Sequence, residues 1–168
     1  MKELLLLPQS KNNVLKVVKY IGDDRDRYAE LIKYIIDNNG VTANRASWAM
    51  SHCYDNKVGF FIEYLSNLLP ILEDEYYSNS IKRNIVRVLQ FVEIPEKHQG
   101  QVINSCFNLL NDREKPSAVL AFSMGVLHKM VKIYPELKNE LKFSIEEIMP
   151  NATSGVKNRG RNILKSIP

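Results

Sequence analysis

A helical pattern of apolar positions recurs along the chain at a fixed interval. Leu65, Leu68, Leu69 and Leu72 follow the i, i+3, i+4, i+7 spacing of one helix face. Adding 38 to each number gives Ile103, Cys106, Phe107 and Leu110, and adding 38 again gives Leu141, Ser144, Ile145 and Ile148. An earlier copy fits with an interval of 37, at Tyr28, Leu31, Ile32 and Ile35. Because a period of roughly 40 residues holds two helices and two short turns, the pattern predicts stacked helix pairs.

The spacing and its boundary signals together predict nine helices. Their ranges are 12–21, 24–38, 42–54, 57–75, 78–92, 97–112, 117–133, 135–149 and 153–167. The sequence Asn38-Asn39-Gly40 ends one helix, Thr42 can cap the next, and Pro70 is expected to kink helix 57–75. The prediction is one all-α domain over residues 1–168. An N-terminal cap helix within 1–21 precedes units at about 24–54, 57–92, 97–133 and 135–168.

The helix pairs resemble HEAT repeats. The first helix of a unit in that family has a mid-helix proline, as in the segment from Leu65 to Asp74, and the second opens with an arginine. That arginine position recurs at the same interval, at Arg45, Arg83, Ala121 and Arg159, with alanine in the third copy. The resemblance implies a right-handed α-α superhelix. It also implies that helices 42–54, 78–92, 117–133 and 153–167 line an inner, concave layer.

Charge is sorted by this predicted layering. The chain has a formal net charge of +4 at pH 7. The inner segments together with the N-terminal segment 1–21 hold +13, whereas the outer segments and connections hold −9. A concave surface with low-dielectric walls focuses such a field and attracts polyanions or acidic protein surfaces.

Eight inner-layer residues are the candidate binding residues. They are Arg45, Trp48, Arg83, Arg87, Lys129, Lys132, Arg159 and Arg161. Three interpretations of the cations are open: internal pairing with outer-helix acids, an acidic protein partner, or nucleic acid. Among the binding roles we expect an acidic protein surface, since single-strand binders interleave aromatics with cations and only one tryptophan is present. Trp48 can share a patch with Arg45 and His52, or pack between helices.

No metal or cofactor site is predicted. The three histidines lie in no ligand spacing, and there is no phosphate-binding glycine motif. Cys53 and Cys106 align with apolar helix faces and are expected to be core thiols in a reducing, cytoplasmic compartment. No membrane-spanning helix is expected, because no apolar run reaches the length of roughly 18 residues that such a helix needs.

The enzyme alternative comes from a second resemblance. The HEAT-like alkylpurine DNA glycosylases combine a basic concave surface with cleft aromatics and an acidic residue, whereas the four predicted inner helices contain no Asp or Glu. We therefore predict a non-enzymatic binding or scaffolding module, with DNA binding or glycosylase-like repair as the alternative. A deep cleft around Trp48 with a carboxylate brought in from a loop would favour the enzyme, and a shallow basic groove without one would favour the module.

Overall fold

The computed structural model describes residues 1–167, and within this range every regular element is a helix. The α-helices are α1 Lys2–Leu6, α2 Lys11–Ile21, α3 Arg25–Ile36, α4 Val41–Asp55, α5 Leu65–Leu68, α6 Asn79–Leu89, α7 Glu96–Asn111, α8 Ser117–Val131, α9 Lys138–Ile148 and α10 Ser154–Ser166. Short 3-10 turns lie at Phe61–Tyr64, Leu69–Leu72, Pro135–Leu137 and Met149–Asn151. The predicted all-α architecture is confirmed.

The helices form two compact units, one from Met1 to Val88 and one from Leu89 onward. In the first unit α4 packs against α1, α2 and α3. In the second unit α8 packs against α7, α9 and α10. In both units, therefore, the second helix of a repeat packs against three other helices. The assignment of all 168 residues to one domain stays a prediction.

Local side-chain chemistry sets several helix ends. Ser10 and Asp24 cap α2 and α3, because each side chain accepts a hydrogen bond from the backbone N–H three residues on. Gly40 precedes α4 with a φ of 87°, in the left-handed region that glycine adopts without strain. The chain reversal between α3 and α4 therefore depends on this glycine.

The apolar faces of successive repeats are buried at equivalent positions, as the repeat pattern predicts. Leu69 and Ile145 are fully buried and Phe107 is 6% exposed. Ser144, the one polar residue of the pattern, is also buried, whereas Ile103 is half-buried. The 38-residue spacing of the sequence pattern is therefore also the spacing of equivalent buried positions in the core.

Hydrogen bonds between side chains recur at nearly the same spacing. Asn84 donates to Ser47 across 37 residues at 2.9 Å in the first unit. In the second unit Ser166 bonds to His128 across 38 residues at 2.9 Å. These bonds join equivalent helices of neighbouring repeats, so polar contacts follow the same period as the apolar ones.

The predicted helix 57–75 is wrong as a continuous element. The structure breaks it into a 3-10 turn, the four-residue α5 and a second 3-10 turn that holds Pro70 near its start. Proline has no N–H to donate to the preceding turn, and its ring clashes with the carbonyl four residues earlier. Pro70 therefore accounts for the break after α5, whereas the 3-10 turn at Phe61–Tyr64 lies beyond the reach of its ring.

Two further differences from the prediction concern the region of the candidate site. The five-residue α1, which the sequence pattern did not indicate, buries Leu5 and ends before Pro8. Helix α4 ends at Asp55 rather than at 54, so it includes one acidic residue that lies just outside the predicted range 42–54. This single added residue brings a carboxylate into the candidate site.

Candidate functional site

Arg45 of α4 forms a hydrogen bond that joins α4 to α1. Its guanidinium donates to the carbonyl oxygen of Leu5 at 3.0 Å, and its Nε atom is buried. Beside it lies a small cavity that Trp48 and the segment from Leu4 to Ser10 also line. Its volume of about 20 Å³ is enough for one water molecule and far too small for a nucleobase.

Trp48 lies at the start of a polar cluster at the C-terminal end of α4. The centroids of the Trp48 and His52 rings are 5.3 Å apart with the rings nearly perpendicular. His52 Nδ1 lies 3.4 Å from Asp55 Oδ2. Burial lowers the pKa of His52, although the Asp55 carboxylate acts in the opposite direction.

Arg87 completes this cluster from α6. Its Nη2 atom lies 2.9 Å from both carboxylate oxygens of Asp55, and Nη1 donates to the Ser51 carbonyl at 3.2 Å. An arginine that bonds a carboxylate and a helix C-terminal carbonyl joins α6 to α4. The sequence prediction placed Arg87 among the binding residues, whereas its contacts here are internal.

The other cations of α6 are also engaged within the first unit. The Lys82 side chain is 1% exposed, and its Nζ lies 3.4 Å from Glu75 Oε1. The half-buried Arg83 contacts the Asn84 side-chain oxygen at 3.4 Å. The internal pairing considered for the inner helices is therefore present here, including one pair with the acidic segment from Glu73 to Glu75.

In the second unit Lys129 bonds to backbone oxygens rather than to a carboxylate. Its Nζ donates to the carbonyls of Leu89, at 2.8 Å, and Val92. Leu89 is the last residue of α6, so the ammonium neutralises the negative end of the helix dipole. Burial lowers the pKa of Lys129. This cation has a structural role.

Arg159 lies exposed on α10 and bonds to a neutral group. Its Nη2 donates to the side-chain oxygen of Gln90 at 2.6 Å. The bond passes directly over Gly125 of α8, where an added Cβ would overlap both bonded atoms. The arrangement thus requires glycine at position 125.

His128 lies in the last turn of α8, and Lys132 follows directly after the end of that helix. Both Lys132 and Arg159 lie near His128. Burial lowers the pKa of His128, and the nearby charges of Lys132 and Arg159 lower it further. Lys132 is exposed. We call Lys132 and Arg159, which both lie near His128, the cationic face. Arg161 is exposed but lies two positions beyond Arg159, about 200° around the helix, so it points to another side.

A groove runs beside the cationic face between the N-terminal halves of α8 and α10. Its volume is about 410 Å³. It is lined by Ser117, Ala118, Ala121, Thr153, Gly155, Val156, Asn158, Arg159 and Asn162. Arg159 is the one charged residue in this lining. Ala121, which interrupts the predicted arginine series, is one of the small residues that line the groove.

The eight predicted binding residues divide between the two units. The first unit holds Arg45, Trp48, Arg83 and Arg87, and the second holds Lys129, Lys132, Arg159 and Arg161. Arg45 lies with Trp48, and Arg87 joins the end of α4 through Asp55. Asp55, Gln90 and Gly125 are contributors that sequence reasoning missed. Asp55 had a detectable signal, since it follows His52 by three residues and would lie beside it if the helix continued by one residue.

The described residues contain no group of three or more His, Cys, Asp or Glu side chains able to hold a metal ion. Over the same residues no helix has both the length and the apolar character needed to cross a membrane.

Helix pairs that repeat every 38 residues and bond to their equivalents in the next pair define a helical-repeat protein. The model of the HEAT repeat domain family matches residues 1–167, and the chain belongs to that family. HEAT repeats generally mediate protein–protein interactions or act as scaffolds. Comparison with curated proteins and with solved structures gave no match.

Proposed function

We propose that this HEAT repeat protein is a non-catalytic binding module whose partner is an acidic protein surface. The main observation in support is that two sets of cations have different bonding partners. Arg87 and Lys82 bond to carboxylates, whereas Arg159 bonds to a neutral amide oxygen and Lys132 is exposed. The cationic face therefore keeps its positive charge for an external partner.

The groove supports a protein partner rather than nucleic acid. Proteins that bind single strands stack bases on aromatic side chains. The groove is lined instead by small side chains, by hydroxyls and by the amides of Asn158 and Asn162. Amide groups both donate and accept hydrogen bonds, which suits a peptide backbone. Trp48, the one tryptophan, contacts His52 in the first unit.

We propose no catalytic role for the Trp48 region. Asp55 does lie within reach of His52, as a catalytic pair would require. However, Arg87 binds both carboxylate oxygens of Asp55, and the adjacent cavity has room for only one water molecule. A glycosylase must hold an extruded base in a snug pocket.

A cytoplasmic location is part of the proposal, because two free buried thiols suit a reducing compartment.

Binding measured at two salt concentrations tests this function. The probes are a random-sequence DNA duplex and a labelled glutamate-rich peptide, each titrated at about 50 mM and about 200 mM salt. We expect the peptide to bind and the duplex to bind weakly or not at all. Tight duplex binding that falls steeply with salt, at about −0.9 in log–log slope per phosphate contacted, would instead establish nucleic-acid binding.

A further inference from the structure

Arg159 is placed at the groove by its neighbours rather than by its own helix alone. Its long side chain crosses α8 to reach Gln90, and the crossing is possible only because Gly125 has no side chain. The guanidinium has five N–H donors, so a bond to one amide oxygen leaves most of its donors available. Gln90 therefore fixes the orientation of Arg159 without neutralising its charge.

The surroundings add positive charge to this position. Lys132 and Arg159 both lie close enough to His128 to disfavour a proton on its ring. The rest of the lining, by contrast, is neutral and includes the small residues Ala118, Ala121 and Gly155. The result is an open groove whose lining is neutral except for the positive charge of Arg159.

From this geometry we infer that the groove between α8 and α10 binds an extended acidic segment of the partner, with a carboxylate of that segment on Arg159. This inference rests on the proposed function and names the part of the surface that performs it. A carboxylate matches the planar guanidinium and can accept two parallel hydrogen bonds from it. Asn158 and Asn162 lie one turn apart along the groove, where their amides can pair with the backbone of the segment.

An extended segment fits this groove better than a helix. The groove volume of about 410 Å³ corresponds to a few residues rather than to a helix about 10 Å wide. In an extended chain alternate side chains point to the same side. A segment with glutamate at alternate positions would therefore present its carboxylates on one side, toward Arg159.

The test uses the full chain and a labelled peptide of about ten residues in which glutamate alternates with glycine. Gly125→Ala inserts a methyl group where the guanidinium now lies and changes no charge. Gly100→Ala is its matched control, because an added Cβ at Gly100 in α7 meets open space. Arg159→Gln and Arg161→Gln form a second matched pair on α10.

We expect Gly125→Ala and Arg159→Gln each to weaken peptide binding about tenfold or more, as loss of a charge-assisted hydrogen bond would. Gly100→Ala and Arg161→Gln should bind within about twofold of the wild type. Arg159→Glu should reverse the charge preference of the groove: the variant should no longer bind the glutamate peptide and should bind a lysine–glycine peptide of the same length.

The melting temperature of Gly125→Ala should not fall. Alanine has a higher helix propensity than glycine, and the groups that its methyl displaces are the ends of flexible side chains.

The outcomes separate the two proposals. If the wild type binds the peptide and the Gly125 and Arg159 variants bind it equally well, an acidic partner is retained but its assignment to this groove is overturned. If the wild type binds no acidic peptide, the proposed function fails and the groove assignment fails with it. Preferential binding of a DNA duplex by the same groove residues would also overturn the inference.

Discussion

At the residue scale, the two cysteines are core groups of the repeat. Both are fully buried, and burial raises the pKa of each thiol to about 12. Because the thiolate is the reactive species, neither should react with a thiol reagent at pH 8 in the native protein. Both should react at once in denaturant. Rapid labelling of the native chain would contradict this assignment and indicate a redox role.

His128 should make the stability of the second unit depend on pH. Its pKa in the folded protein is lowered by burial and by Lys132 and Arg159, whereas the unfolded value is 6.5. As the pH falls through 6.5, the unfolded state takes up a proton that the folded state resists, so the free energy of unfolding decreases. The contribution of His128 is fully present above that range.

The measurement is the melting temperature between about pH 7.5 and about pH 5.5. His128→Gln should flatten the decrease. The flattening should be partial, since burial also lowers the pKa of His52. A variant with the same pH dependence as the wild type would show that His128 protonates equally in both states.

At the element scale, the helices that carry the apolar repeat stabilise one another through equivalent buried positions. Phe107 of α7 is 6% exposed, and Phe143 of α9 is 64% exposed. Phe107→Ala should lower the free energy of unfolding by about 3–5 kcal/mol, because it creates a cavity in the stacked core. Phe143→Ala is the matched control and should change it by no more than about 0.5 kcal/mol. Equal effects in a urea titration would contradict the repeat register.

The existence of these helices could be predicted from the sequence, because burial of one face imposes a period on the apolar residues. The interruption of the predicted helix at Pro70 was only partly predictable. The sequence shows that proline removes one hydrogen bond, but tertiary packing decides whether the helix kinks or separates into 3-10 turns. Helix α1 is five residues long, too short to show a period at all.

At the scale of the whole molecule, the number of cations on each helix was predictable from the sequence, but the groups that those cations contact were not. The count of cations on the second helices is a property of the sequence, whereas their pairing depends on which oxygens the fold brings near. Arg87 meets Asp55, which lies one residue beyond the predicted end of α4. Arg159 meets Gln90 across 69 residues, a separation unrelated to the repeat period. No local pattern indicates such a contact.

The most direct measurement compares two double charge reversals that alter the net charge equally. Arg83→Glu/Arg87→Glu replaces cations that are bonded within the first unit, and Lys132→Glu/Arg159→Glu replaces those of the cationic face. Melting temperature and affinity for the glutamate-rich peptide are recorded for both. We predict that the first variant melts at a lower temperature but still binds when folded, because like charge is placed beside Asp55. The second should melt as the wild type does and lose the peptide. The opposite pattern, with binding lost in the first variant and kept in the second, would contradict the account.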